Sequence, residues 1–79
     1  MKRIKVGDAV HAIMNKKVMI VSGIMGQKTV ECAWLDENEK LCRRTFKSQS
    51  LYLIDDYRLK EKVQQLKSIL IKQKLLKIY

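Results

Sequence analysis

The stretch that decides the fold class is Thr29-Val30-Glu31-Cys32-Ala33-Trp34-Leu35-Asp36-Glu37-Asn38-Glu39-Lys40-Leu41-Cys42-Arg43-Arg44-Thr45-Phe46. From Thr29 to Leu35 the residues alternate. Val30, Cys32 and Trp34 fall on one face, Glu31 and Ala33 on the other, which is the period of a strand. Asp36-Glu37-Asn38-Glu39 then reads as a turn, and Leu41 to Phe46 returns as the next strand. Leu41 and Phe46 have opposite parity, so an uninterrupted strand burying a single face cannot take both. A bulge between them is expected, turning Arg43 and Arg44 towards solvent. A three-residue loop would set Cys32 opposite Cys42, whereas a two- or four-residue loop would pair it with Arg43.

Working outward, Val18 to Ile24 is a β-branched-rich run closed by Ser22-Gly23 and Gly26-Gln27. Met14-Asn15-Lys16-Lys17 is a polar break before it. Lys5 to Ile13 alternates again, with Val6, Val10 and Ala12 on one parity and a tight bend at Gly7-Asp8. On the other side, Lys47-Ser48-Gln49-Ser50 is a polar turn and Leu51-Tyr52-Leu53-Ile54 a last short strand. Five short strands joined by short turns predict a small antiparallel barrel over residues 1–54. The lack of helices between strands excludes a doubly wound α/β fold.

Residues 55–79 read differently. Asp55 to Tyr79 holds no Gly and no Pro, and its last eighteen residues carry no acid. Asp55-Asp56 suits a helix start, and Lys72, Lys74 and Lys77 suit the negative end of the dipole. Leu59, Val63, Leu66 and Leu70 form one apolar stripe. Beyond Leu70 that stripe continues as Gln73 and Lys77, while Ile69, Ile71, Leu75, Leu76, Ile78 and Tyr79 are scattered over other faces. One long C-terminal α-helix over 55–79 is predicted. At 1.5 Å per residue it would span ~37 Å, beside a β domain on the order of 26 Å across. Its far half would overhang, and Leu66, Ile69, Leu70, Leu75, Leu76 and Ile78 are the expected contact with a second copy or a larger protein. Two other readings stand beside this one: a helix folded wholly over its own barrel, and a membrane-surface amphipath. The membrane reading is disfavoured by the absence of Trp in the tail and by its interrupted polar face.

With the strands laid out, the run from Lys5 to Leu53 resembles the YodC-like family, small bacterial proteins with an SH3-like barrel. The matching residues are Lys5-Val6-Gly7-Asp8-Ala9-Val10, Met19-Ile20-Val21 and Val30-Glu31-Cys32-Ala33-Trp34-Leu35-Asp36, with Leu41, Thr45-Phe46 and Leu51. Asn15-Lys16-Lys17 replaces the family's Gly-Gly-Pro type of loop, Leu35 stands where an aromatic residue is common, and no Pro follows Phe46. The resemblance covers about two thirds of the chain and implies the barrel. It implies no catalytic residue, and the segment from Asp55 onward lies outside it.

The chain has 79 residues, 17 Lys and Arg against 8 Asp and Glu, and a formal charge of +9. So basic a small protein points to phosphate-rich or acidic partners. The cations cluster at Lys2, Arg3 and Lys5, at Lys16, Lys17 and Lys28, and at Lys40, Arg43, Arg44 and Lys47, whereas Asp36, Glu37 and Glu39 mark a hairpin tip. Lys2, Arg3, Lys16, Lys17, Arg43, Arg44 and Lys47 are the candidate polyanion contacts, for nucleic acid or an acidic protein surface.

Chemistry is not indicated. No phosphate loop, nucleophile elbow or paired acid is present, and His11 lacks a nucleophile partner. Cys32 and Cys42 lack metal-ligand spacing and read as buried free thiols, so no metal and no cofactor are expected. Trp34 reads as a core anchor. Tyr52 and Tyr57 flank the strand-to-helix junction, where they would pack the helix or offer rings to a ligand. Without a signal peptide or an apolar run of membrane length, a cytoplasmic, non-enzymatic binding module is expected.

Overall fold

The computed structural model describes residues 4–13, 15–54 and 59–74, with Asn15 and Lys16 by backbone alone. The protein is mainly β. Strands β1 (Ala9–Ala12), β2 (Asn15–Ile24), β3 (Thr29–Leu35), β4 (Leu41–Lys47) and β5 (Leu51–Leu53) form one antiparallel sheet, followed by helix α1 (Lys60–Lys72). The sheet order is β4-β3-β2-β1-β5. A single 3-10 turn, Ser48–Ser50, joins β4 to β5. The expected barrel is therefore an open, barrel-like sheet: β4 and β5 are edges and do not pair with each other.

The long strand β2 holds the sheet together. Its first half pairs with β1, from Ala12↔Asn15 to Ala9↔Ile20, and its second half with β3, from Ile20↔Ala33 to Ile24↔Val30. A register shift between Val21 and Gly23 bulges the second half, and Ser22 Oγ donates across it to the Glu31 carbonyl at 3.3 Å. The bend read at Gly7-Asp8 is present. Gly7 has φ +97°, a conformation that favours glycine. Its N–H donates to the Val21 carbonyl at 2.8 Å, while Val21 N–H donates to the Asp8 carbonyl at 2.9 Å.

Both faces of the sheet are buried, and this resolves the parity conflict in β4. One face packs Val10, Met19, Val21, Val30, Cys32 and Leu51, with Ile4, Ala12, Trp34 and Phe46 against them. The other packs Ile20 and Ala33 under Leu66 and Leu70 of α1, with Ala9, Val18, Leu35, Leu41 and Val63 around them. Leu41 and Phe46 thus enter different cores. No bulge is needed, and the β3–β4 register runs unbroken from Thr29↔Lys47 to Leu35↔Leu41. The hairpin loop has five residues, Asp36 to Lys40, so Cys32 stands opposite Arg44 and Trp34 opposite Cys42, overturning both expected pairings.

The helix departs most from expectation. It covers thirteen residues, Lys60–Lys72, not the span to Tyr79. Lys74 adopts φ +60° and its N–H donates to the Ile71 carbonyl at 3.0 Å, which ends the helix. The physical reason is the end of the apolar stripe at Leu70. Helices this short hold mainly by tertiary packing, and Gln73 brings nothing apolar to the sheet. Thirteen residues span about 20 Å, within an envelope of 29 × 25 × 24 Å. The helix has no overhang. Leu66 and Leu70, expected to face a second molecule, lie in the chain's own core. The cap expected from Asp55-Asp56, and the contact expected from Leu75, Leu76 and Ile78, fall outside the described residues. Among the described residues, no helix is long and apolar enough to cross a membrane.

Candidate functional site

An edge strand offers one row of backbone groups without a strand partner, and β4 is such an edge. Its pairing with β3 fixes where its side chains go. Arg43 lies opposite Ala33, Thr45 opposite Glu31 and Lys47 opposite Thr29, on the helix-covered side of the sheet; Arg44 lies opposite Cys32 on the other side. Arg43, Arg44, Thr45 and Lys47 are all exposed. Arg43 and Lys47, four residues apart on one face, are separated by about 13 Å along the strand. The positive charge therefore straddles a rim instead of tiling one flat face.

Lys28 joins this group. The Ser48 N–H donates to the Lys28 carbonyl at 2.8 Å, fixing the β2–β3 turn beside the end of β4. The sequence places Lys28 in a turn, apart from the candidate contacts. The hairpin register, once the five-residue loop is known, is the signal that brings it next to Lys47.

One anion interrupts the patch. Glu31 Oε1 accepts from Ser22 Oγ at 3.0 Å and sits 3.8 Å from an Arg43 guanidinium nitrogen. Half the Arg43 side chain is exposed, and ion pairs this open contribute about 0–1 kcal/mol. Arg43 is steered, not neutralised.

The opposite end of the same hairpin is acidic. Asp36 Oδ1 accepts the N–H groups of Asn38 and Lys40, each at 2.8 Å, which locks the loop. Glu37 and Glu39 are exposed beside it. The two poles are separated by six residue steps of β3, about 20 Å. A groove of about 790 Å³ opens between this acidic loop and α1, with Val18, Leu35, Leu66 and Ile69 among its apolar lining and Gln73 at the helix end.

Of the other expected polyanion contacts, the described ones are on β2 and not at β4. Lys17 is exposed but lines the acidic groove, on β2, two strands from β4. Lys2 and Arg3 lie outside the described residues, as does the side chain of Lys16. Of the expected interface residues, Ile69 is half-buried in the groove wall.

Reactive groups are quiet. Cys32 is fully buried, and burial, with a smaller contribution from the Glu31 carboxylate, pushes its thiol up to about 11. It stays protonated at neutral pH and is a poor nucleophile. Cys42 is half-buried, its Sγ 3.8 Å from the Lys40 carbonyl, and both cysteines are free. Trp34 is half-buried against the first core, its ring 6.4 Å from Phe46, as an anchor would be. His11 Nδ1 is 3.1 Å from the Ala12 carbonyl and its ring lies 5.6 Å from that of Tyr52. Among the described residues, no three His, Cys, Asp or Glu side chains are grouped to hold a metal ion.

No protein-family model matches the chain, and no curated protein is significantly similar to it.

Proposed function

We propose that the protein is a binding module that takes a polyanion, duplex nucleic acid in the first instance, along the β4 rim. The observation that carries this reading is the convergence of Lys28, Arg43, Arg44 and Lys47 on one edge of the sheet. Among the described residues, only Arg43 of these four is joined to a carboxylate. The chain's formal charge of +9 supports the same reading, because it raises the local concentration of any polyanion. Cations on an edge strand also keep it from pairing with other strands. That role is compatible with binding, and it explains neither Lys28 nor the net charge.

Contacts of this kind bind phosphates and give affinity without sequence choice. With four contacts at about −0.9 each, log K for a short DNA duplex falls against log salt with a slope of about −3 to −4. Arg43→Glu with Arg44→Glu weakens binding by at least about tenfold and flattens the slope by about two. Lys17→Glu, on the acidic groove, leaves the slope nearly unchanged. A flat salt plot, or no duplex binding at low salt, overturns the reading. Retention of an acidic protein that survives nuclease treatment, with no duplex binding, would replace nucleic acid with an acidic protein surface.

A further inference from the structure

The β2–β3 turn holds two apolar side chains out to solvent beside the basic rim. Ile24 and Met25 are each 53% exposed, whereas Val6, Tyr52, Leu53 and Ile71 reach 43% at most. Ile13 is more exposed, but it is single and follows β1. The turn is tight, because the N–H groups of Met25 and Gly26 both donate to the Thr29 carbonyl, at 2.9 and 3.2 Å. Gly26, Gln27 and Lys28 are exposed at its tip, and Ile24 to Thr29 contains no acid.

We propose that Ile24 and Met25 form a wedge that enters the minor groove of bound duplex DNA, parts a base step and kinks the duplex. This rests on the polyanion reading of the β4 rim and gives the apolar turn its part in it. Ile24 pairs with Val30, and Val30 with Phe46, so Ile24 lies on the side of the sheet that Arg44 occupies. At about 4.8 Å per strand and 3.3 Å per residue, it stands about 12 Å from Arg44 along the sheet. Met25 folds over Gly23 on the other side. Its Cε lies 3.3 Å from where a Cβ on Gly23 would be, and Glu31 Cβ lies 3.9 Å from the same point. Glu31 shares that side with Arg43. Each apolar side chain thus has an arginine on its own side, and Lys28 follows at the tip beside Lys47.

The two residues suit a wedge in different ways. Ile24 is β-branched and stiff, as a blade pressed between bases must be. Met25 is unbranched and adaptable, and fills the opened step. Minor-groove proteins insert Ile and Met side chains in this way while cations hold the phosphates. An anionic membrane also takes apolar and basic groups together. This pair, however, holds less apolar carbon than one acyl chain, which by itself anchors a protein only marginally. Phosphate contacts alone give no sequence choice. A wedge adds a preference for pyrimidine–purine steps such as TA, which unstack easily.

The test is energy transfer between dyes at the two ends of a short duplex with one central TA step, titrated with the full chain at low salt. A kink of about 20–90° raises the transfer on binding. Ile24→Thr with Met25→Gln keeps the branching and the side-chain lengths while removing the apolar surface. This variant abolishes the rise and weakens binding several-fold, with the salt slope and Trp34 fluorescence as in wild type. Replacing the TA step with G·C pairs weakens wild-type binding several-fold and leaves the variant's affinity unaltered. Wild-type binding without a rise, or a variant that still bends the duplex, overturns the wedge and leaves the rim reading standing. No duplex binding at low salt overturns both. A variant that bends DNA as wild type does but no longer sediments with phosphatidylserine vesicles overturns the wedge and assigns the turn to a membrane surface.

Discussion

The two faces of the sheet reach the same degree of burial by different means. On one face Val10, Val21 and Cys32 are completely buried, and on the other Ile20, Ala33 and Leu70 are. The first core draws on β1, β2, β3 and β5 with side chains from β4 and from Ile4, and among the described residues no helix lies over it. It closes because the sheet bends over it, with β2 passing from one pairing partner to the other at Ile20. The second core is closed by α1. A thirteen-residue helix is marginal by itself in water, so α1 and the second face stabilise each other. The difference shows that a sheet with both faces apolar needs two separate closures, one written in strand alternation and one in a helix stripe.

The sharpest way to break this comparison is to remove one closure. Leu70→Ala takes a fully buried side chain from the helix side, and such truncations destabilise by about 2–5 kcal/mol. That is a large share of the stability of so small a domain. Ile20 and Val21 are adjacent on β2 and serve opposite cores. The expected outcome in urea is therefore one cooperative transition at lower denaturant, with helical circular dichroism and Trp34 fluorescence moving together. If the helical signal is lost well before Trp34 responds, the two faces are independent units and the shared-strand account fails.

The second prediction tests the self-closed face through its buried thiol. In the unfolded chain a cysteine thiol loses its proton near pH 9.0, whereas Cys32 in the folded protein holds it to about 11. Between those values the unfolded chain binds fewer protons than the folded one, so stability falls as pH rises. Its contribution is complete below pH 9 and declines by on the order of 2 kcal/mol by pH 11. Denaturation midpoints measured from pH 8 to 11 should show this decline, and Cys32→Ala should remove it. A midpoint independent of pH in wild type would mean that water reaches Cys32 and that this face is not closed by the sheet alone.

The two faces also differ in how far they were legible in the sequence. On the first, the β3 part is legible: Val30, Cys32 and Trp34 share one parity, and β3 has the expected span, Thr29–Leu35. The turn at Gly7 and the last strand at Leu51 were visible for the same reason, since local turn chemistry fixes them. The second face was misread because the strands were assumed to bury one side. That assumption created the conflict between Leu41 and Phe46, and a bulge was invoked where a second core exists. The helix was drawn too long because nothing in Gln73-Lys74 breaks a helix locally; what ends it is the loss of tertiary support after Leu70. The halt of the stripe at Gln73 was the available signal. The candidate site was legible residue by residue but not as a group. Arg43, Arg44 and Lys47 lie together because they share a strand, whereas Lys28 enters and Lys17 departs through pairings that depend on loop length.

The smallest effect on stability comes from the one carboxylate that touches both sides of the comparison. Glu31 sits on the helix-covered side of β3, next to Arg43 and across from Thr45 on β4, yet its charge also raises the Cys32 thiol on the other side. Glu31→Gln keeps an oxygen to accept from Ser22 Oγ and removes only the charge. The stability change at pH 7 should be below about 1 kcal/mol, as for other exposed pairs. Two larger readouts accompany it. The alkaline decline governed by Cys32 still begins near pH 9 but ends at lower pH and is smaller, because a neighbouring negative charge no longer opposes the thiolate in the folded protein. Duplex affinity at low salt rises several-fold, because Arg43 is no longer held towards a carboxylate. If the alkaline decline shrinks while affinity stays unchanged, the substitution has acted electrostatically and Arg43 takes no part in binding. Phosphates would then meet the rim at Arg44, Lys47 and Lys28, on both sides of the edge.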